Sequence, residues 1–112
     1  MITIFFSMTV KADRQTEFEI LARDMTTSTK AQDQGCLAYT FYRRADEQRD
    51  FVLYEQWHDA AALSAHMARL HQVLGPPDDR EPYPETHHRR RLPKAFLALL
   101  EKTDAVRYEA LE

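Results

Sequence analysis

The stretch from Gly35 to His66 constrains the fold more than any other. Two aromatic-rich runs, Leu37–Arg44 and Phe51–Trp57, are separated by a short polar turn, and the second leads straight into a helix start at Asp59. Runs of this length and composition read as strands. A pair so close in sequence reads as a hairpin across Ala45–Asp50, with Asp46 supplying the turn chemistry. The order puts an indole, Trp57, at the end of a strand and an imidazole, His66, on the helix that follows.

The flanking segments extend the pattern. Ile2, Ile4, Phe6, Met8 and Val10 alternate with Thr3, Phe5, Ser7 and Thr9, the period of a half-buried strand. Asp13 stands where an N-cap is expected. Phe18, Leu21, Ala22 and Met25 then follow at helical spacing, and Gly35 is expected to close this helix as a left-handed C′ residue. A helix from about Arg14 to Gln34 is roughly 31 Å long. It can therefore run back along a first strand of roughly 30 Å. Asp59 caps the second helix, whose apolar line is Leu63, Met67, Leu70 and Leu74 with His66 flanking it, and Gly75 follows.

A proline-rich insertion at about 75–92 has no periodicity. Pro93 then opens a short helix at N1, with Phe96, Leu99 and Leu100 as its apolar side, and Asp104–Leu111 reads as the last strand. The order β-α-β-β-α-(α)-β is the ferredoxin-like split βαβ of the α+β class, with a four-stranded antiparallel sheet covered by helices on one face.

Both faces of that sheet carry large apolar groups. Leu37, Tyr39 and Phe41 point one way in the second strand, and Cys36, Ala38, Thr40 and Tyr42 the other. In the third strand Phe51, Leu53 and Trp57 oppose Val52 and Tyr54. A bare face with aromatics marks an interface. The expectation is a homodimer with two sheets packed face to face, a dimeric α/β barrel.

At 112 residues the chain is read as one domain. Its net charge of −3, with both signs interspersed, gives no footprint for nucleic acid. The cluster Arg89–Arg91 after His87–His88 lies near Asp78–Glu81 and reads as a solvated, nearly neutral loop. Adjacent histidines with no third ligand nearby make a poor metal site. The one cysteine, Cys36, excludes an intrachain disulfide and fits a reduced, cytoplasmic setting. The apolar start is too short for a membrane span and lacks the basic region of a signal peptide.

Gly35-Cys36-Leu37-x-Tyr39, then Phe51-x-Leu53-x-Glu55-x-Trp57, then a helix with Leu63 and His66, resembles the antibiotic biosynthesis monooxygenase-like family of dimeric α+β barrels. The likeness covers Met1 to about His71. It implies oxygen insertion into a quinol or polycyclic phenol without metal, flavin or other cofactor. The deprotonated substrate is electron-rich enough to reduce O₂ itself, so the protein needs a dry pocket and a base.

Carried onto this chain, the resemblance makes His66 the base or polar anchor and Trp57 the pocket wall or a donor to a substrate carbonyl. Tyr39, Tyr54 and Glu55 are further substrate-binding candidates. The expected partners are a second copy of the chain, a small aromatic substrate and O₂. Structural roles compete with these: Trp57 as barrel packing, His66 donating to a backbone carbonyl or to Glu55, and Glu55 paired with an arginine across the dimer.

The heme-degrading branch of the family fits less well, because it uses an asparagine on the first strand and this chain has none. The alternative to an enzyme is a non-catalytic dimeric module binding an aromatic or heme-like ligand. An enzyme implies a cavity between sheet and helices, with His66 and Trp57 in its wall.

Overall fold

Strand β1 (Ile2–Val10) behaves as its alternation demands. In a computed structural model, which describes residues 1–77 and 92–111, Ile2, Ile4, Phe6, Met8 and Val10 are all buried beneath the helices. Thr3, Phe5, Ser7 and Thr9 face the other way. The sheet is antiparallel, in the order β2-β3-β1-β4, with β2 spanning Cys36–Arg43, β3 Asp50–Trp57 and β4 Leu100–Tyr108. Register fixes the faces: Phe6 sits opposite Leu53 and Ala105, and Tyr39 opposite Glu55.

Helix α1 (Gln15–Gln32) buries Phe18, Ala22, Met25 and Thr29, one stripe at helical spacing. Helix α2 (Ala60–Leu74) buries Leu63, His66, Met67 and Leu70. Both cover the same sheet face: Phe18 meets Phe41 and Phe51, while His66 meets Trp57. The short α3 (Lys94–Leu97) adds Phe96, which reaches Phe6 and Phe18. This is the α+β ferredoxin-like arrangement expected from the residue pattern. Asp59 caps α2 as anticipated, its Oδ1 accepting from the Ala62 amide at 2.8 Å.

Several boundaries differ from expectation. Asp13 does not cap α1. A turn in which the Arg14 amide donates to the Lys11 carbonyl comes first, so Arg14 becomes the N-cap and Asp13 lies one residue too early. At its other end α1 stops at Gln32, because Asp33 is extended (φ −93°, ψ 105°). Gly35 therefore sits two residues past the C-cap, still at positive φ, with its carbonyl accepting from the His58 amide at 2.8 Å.

Leu37 does not share a face with Tyr39 and Phe41. A register shift between Cys36 and Ala38 turns it out to solvent. Pro93 is the N-cap of α3 rather than its first helical residue, and α3 ends before Leu99. Strand β4 begins at Leu100, four residues earlier than its apolar content suggested and ends at Tyr108. Pairing with β1 carries Glu101 and Lys102 into this edge strand, where charged side chains face solvent readily.

Pro77 forms an isolated bridge with Pro93, and the Lys94 amide donates to the Pro76 carbonyl at 3.0 Å, so the chain leaves and returns at one point. Most of the proline-rich insertion lies outside the described residues, including Asp78–Glu81, His87–His88 and Arg89–Arg91.

The face away from the helices carries an aromatic cluster. Phe5 stacks on Tyr54 at 5.1 Å and meets Tyr108 edge-on at 5.0 Å.

Candidate active site

The two-residue period of β3 sends Glu55 and Trp57 to the helix side, and register places Tyr39 of β2 opposite Glu55. On α2, His66 occupies the buried stripe above them. All four side chains have 0 % exposure. The Trp57 Nε1–H donates to Glu55 Oε1 at 3.0 Å. The His66 ring lies 4.4 Å from the indole at an interplanar angle of 37°. Tyr39 meets His66 edge-on at 5.3 Å.

A second layer of polar groups stands behind His66. Its Nδ1 lies 2.6 Å from Oδ2 of Asp33, the residue that ends α1. Arg69, one helical step along α2, grips the same carboxylate through Nε at 2.5 Å and Nη2 at 3.0 Å. Nη2 also lies 3.3 Å from Ser28 Oγ and Thr29 Oγ1, tying α2 to the last turn of α1.

Burial by itself pushes the Asp33 pKa up. The hydrogen bonds from Arg69 and His66, with their charges, outweigh it and hold the carboxyl below its ordinary range. The Asp33 hydrogen bond in turn raises Arg69. Nearby, burial and then the charges of Asp33 and Glu55 push the Cys36 thiol up.

Of the five residues singled out in the sequence, Tyr39, Glu55, Trp57 and His66 come together, while Tyr54 lies on the opposite face in the Phe5 cluster. His66 Nδ1 pairs with Asp33, and the Glu55 carboxylate takes the indole N–H of Trp57. Asp33 and Arg69 escaped the sequence reading. The spacing of His66 and Arg69, three apart on one helix, placed them side by side. Nothing local showed that the end of α1 would meet the middle of α2.

Two concavities lined by described residues lie elsewhere. One, of about 550 Å³, is formed by residues including Thr9, Tyr42, Asp50, Val52 and Lys102. The other, of about 470 Å³, lies between α1 and β2 over Phe18, Phe41 and Phe51, with Glu19 and Arg43 at its rim. Neither has His66 or Trp57 in its wall; the tilted imidazole and the edge-on Tyr39 ring lie against the indole. The smaller cleft comes close: its wall residue Phe41 touches Tyr39 at 5.9 Å, and Tyr39 touches His66.

Among the described residues no group of three or more His, Cys, Asp or Glu is placed to hold a metal ion. No helix among them is long and apolar enough to cross a membrane.

The protein is similar to others of known sequence or structure. An uncharacterized protein of Synechocystis, sll1783, is 31% identical over 65 residues, a match spanning 58% of this chain and 44% of that protein. YcnE of Bacillus subtilis is 28% identical over 71 residues, 63% of this chain and 74% of its own length. Among solved structures, PA3566 from Pseudomonas aeruginosa aligns with a TM-score of 0.71 at 22% identity, over 99% of this chain and 94% of its own. Rv0793 from Mycobacterium tuberculosis aligns at 0.70 and 20% identity, over 99% and 95%. At these identities the structures share the fold. The family model for antibiotic biosynthesis monooxygenases matches residues 1–73. That match runs from β1 into the last turn of α2 and takes in every residue of the buried cluster, so the chain belongs to the antibiotic biosynthesis monooxygenase family.

Proposed function

We propose that the protein is a monooxygenase that oxidises a quinol or polycyclic phenol with O₂, with His66 as the base and Trp57 as the wall against which the substrate ring lies. The observation that carries this reading is the Asp33–His66 pair, 2.6 Å apart and set against an indole inside the core. Burying such a pair costs desolvation free energy that a hydrophobic pair would not. Perturbed, buried titratable groups of this kind cluster at functional sites.

The reaction closes without a further redox partner. His66 takes a phenolic proton, and the phenolate passes electrons to O₂. One oxygen atom joins the ring carbon in place of its hydrogen, the other leaves as water, and all four electrons come from the substrate. A simple quinol thus becomes a hydroxyquinone. Exclusion of water protects the intermediate. His66, Trp57 and Tyr39 are closed to solvent, so substrate enters by displacing the Tyr39 and Phe41 rings from the neighbouring cleft. The opposite face supports a homodimer, since Phe5, Tyr54 and Tyr108 form an apolar patch suited to a second copy.

Oxygen uptake with a panel of quinols tests the proposal. His66→Ala is expected to lower the rate by about 10²-fold or more, the usual contribution of a general base. Trp57→Phe is expected to raise KM. Equal rates in all three proteins would remove these residues from the mechanism. The closed packing of His66 favours a second reading, a non-catalytic module for an aromatic or heme-like ligand. Tight binding of menadiol or hemin without oxygen uptake would establish it.

A further inference from the structure

We propose that Asp33, clamped by Arg69, is the positioning residue of this site: it fixes His66 in the Nδ1–H tautomer and so makes Nε2 the proton acceptor. The kinetic consequence rests on the monooxygenase reading; the tautomer does not.

The geometry leaves little freedom. An ionised carboxylate only accepts hydrogen bonds, so Nδ1, 2.6 Å from Oδ2, must carry the hydrogen. Asp33 stays ionised because Arg69 meets it with two nitrogens of a planar fork. Arg69 is held in turn by Ser28 and Thr29. The extended backbone at Asp33, directly after α1, aims its carboxylate across at α2 instead of along its own helix. The imidazole cannot readily turn over, since Trp57 lies against one side and Tyr39 against another.

The proton balance follows. A substrate O–H bond breaks and an Nε2–H bond forms. The imidazolium then carries a positive charge beside Asp33, which keeps its own charge because Arg69 stabilises it. Nε2 later returns the proton to the oxygen that leaves as water, which takes its second hydrogen from the oxidised ring carbon, and the site ends as it began. Such a carboxylate acts by orienting and stabilising the imidazole, without taking the proton itself.

Long-range proton–nitrogen correlation spectra of the full chain with ¹⁵N-labelled histidine test the tautomer, recorded at the alkaline end of the His66 titration. The His66 signals are assigned by their loss in His66→Gln. Wild type is expected to show a protonated Nδ1 and an unprotonated Nε2, and Asp33→Asn is expected to populate the other tautomer. In oxygen uptake, Asp33→Asn should lower kcat by about 10²-fold. KM should change by less than about 3-fold, and Asp33→Glu should recover part of the rate.

An Nε2–H tautomer in wild type overturns the proposal, as does an Asp33→Asn protein with unchanged tautomer and kcat. Should Asp33→Asn fail to fold, the wild-type spectrum still decides. If wild type consumes no oxygen, the functional reading fails while the spectrum continues to test the positioning.

Discussion

Glu55 and Trp57, two residues apart on one face of β3, meet in the core: the indole N–H donates to the carboxylate at 3.0 Å, and neither side chain reaches solvent. A buried carboxylate that loses a donor bears a desolvation penalty. Trp57→Phe removes that donor and opens a gap, so it is expected to destabilise the fold by about 3 kcal/mol. Glu55→Gln keeps an acceptor at the same place and should lose only about 1 kcal/mol. Urea midpoints measure both. A Trp57→Phe loss no larger than that of Glu55→Gln would mean that neither the indole N–H nor its volume contributes much here.

The fold was legible in the chain because its main signals are local. Alternation in β1, the paired aromatic runs and the Asp59 cap each follow from neighbours in sequence, and each survives in the structure. The misplaced boundaries share a different cause. Strand β4 takes its start from pairing with β1, and α1 stops where Asp33 turns toward Arg69 and His66, contacts separated by more than thirty residues of chain. The site divides in the same way. Tyr39, Glu55, Trp57 and His66 are legible through the family resemblance of the motifs that hold them, whereas Asp33 becomes notable only once α1 and α2 lie side by side. Tyr54, a substrate-site candidate by the same resemblance, stands apart from them, because the strand period puts it on the opposite face from Trp57.

Asp33 should leave a mark on acid stability. Its folded pKa lies below the unfolded value, so between the two the unfolded chain binds more protons and stability rises with pH. The contribution is complete above the ordinary aspartate range and is lost as pH falls through the folded value. His66 and Arg69, the charged groups that face it, both favour the ionised form. Wild type should therefore exceed Asp33→Asn by about 3 kcal/mol at neutral pH, the scale for breaking a buried pair. That difference should shrink as pH falls through and below the ordinary aspartate range. Urea melts across this range give the curve, and a pH-independent difference would contradict the assignment.

The patch around Phe5 predicts assembly. Phe5 stacks on Tyr54 and meets Tyr108 on the face that no helix among the described residues covers. In a face-to-face dimer Phe5→Glu would bury a carboxylate from each copy. Dimer affinity should fall at least about 30-fold, the equivalent of a hot-spot loss near 2 kcal/mol. Far-ultraviolet circular dichroism should stay unchanged, because the helix-side core is untouched. Sedimentation velocity reads the mass. A wild-type monomer at micromolar concentration would remove the dimer.

Gly35 and Gly75 separate a steric clash from backbone strain. Both have positive φ, +82° and +104°. A Cβ at Gly35 would lie 2.6 Å from the Ala62 Cβ, at the first turn of α2, whereas at Gly75 it would meet nothing within 4 Å. Gly75→Ala is thus expected to lose only the backbone strain of an alanine at φ +104°, ψ −174°, a region kept almost entirely for glycine, about 2 kcal/mol. Gly35→Ala should lose about 3 kcal/mol, because α2 must also shift away from the turn that carries Asp33 and Cys36. Adding Ala62→Gly removes the colliding methyl, so the double variant should recover the clash and keep the strain, apart from the helix-propensity loss measured in Ala62→Gly alone. A double-mutant cycle by chemical denaturation isolates that coupling. A coupling near zero would show that the close approach of this turn to α2 does not constrain the site above it.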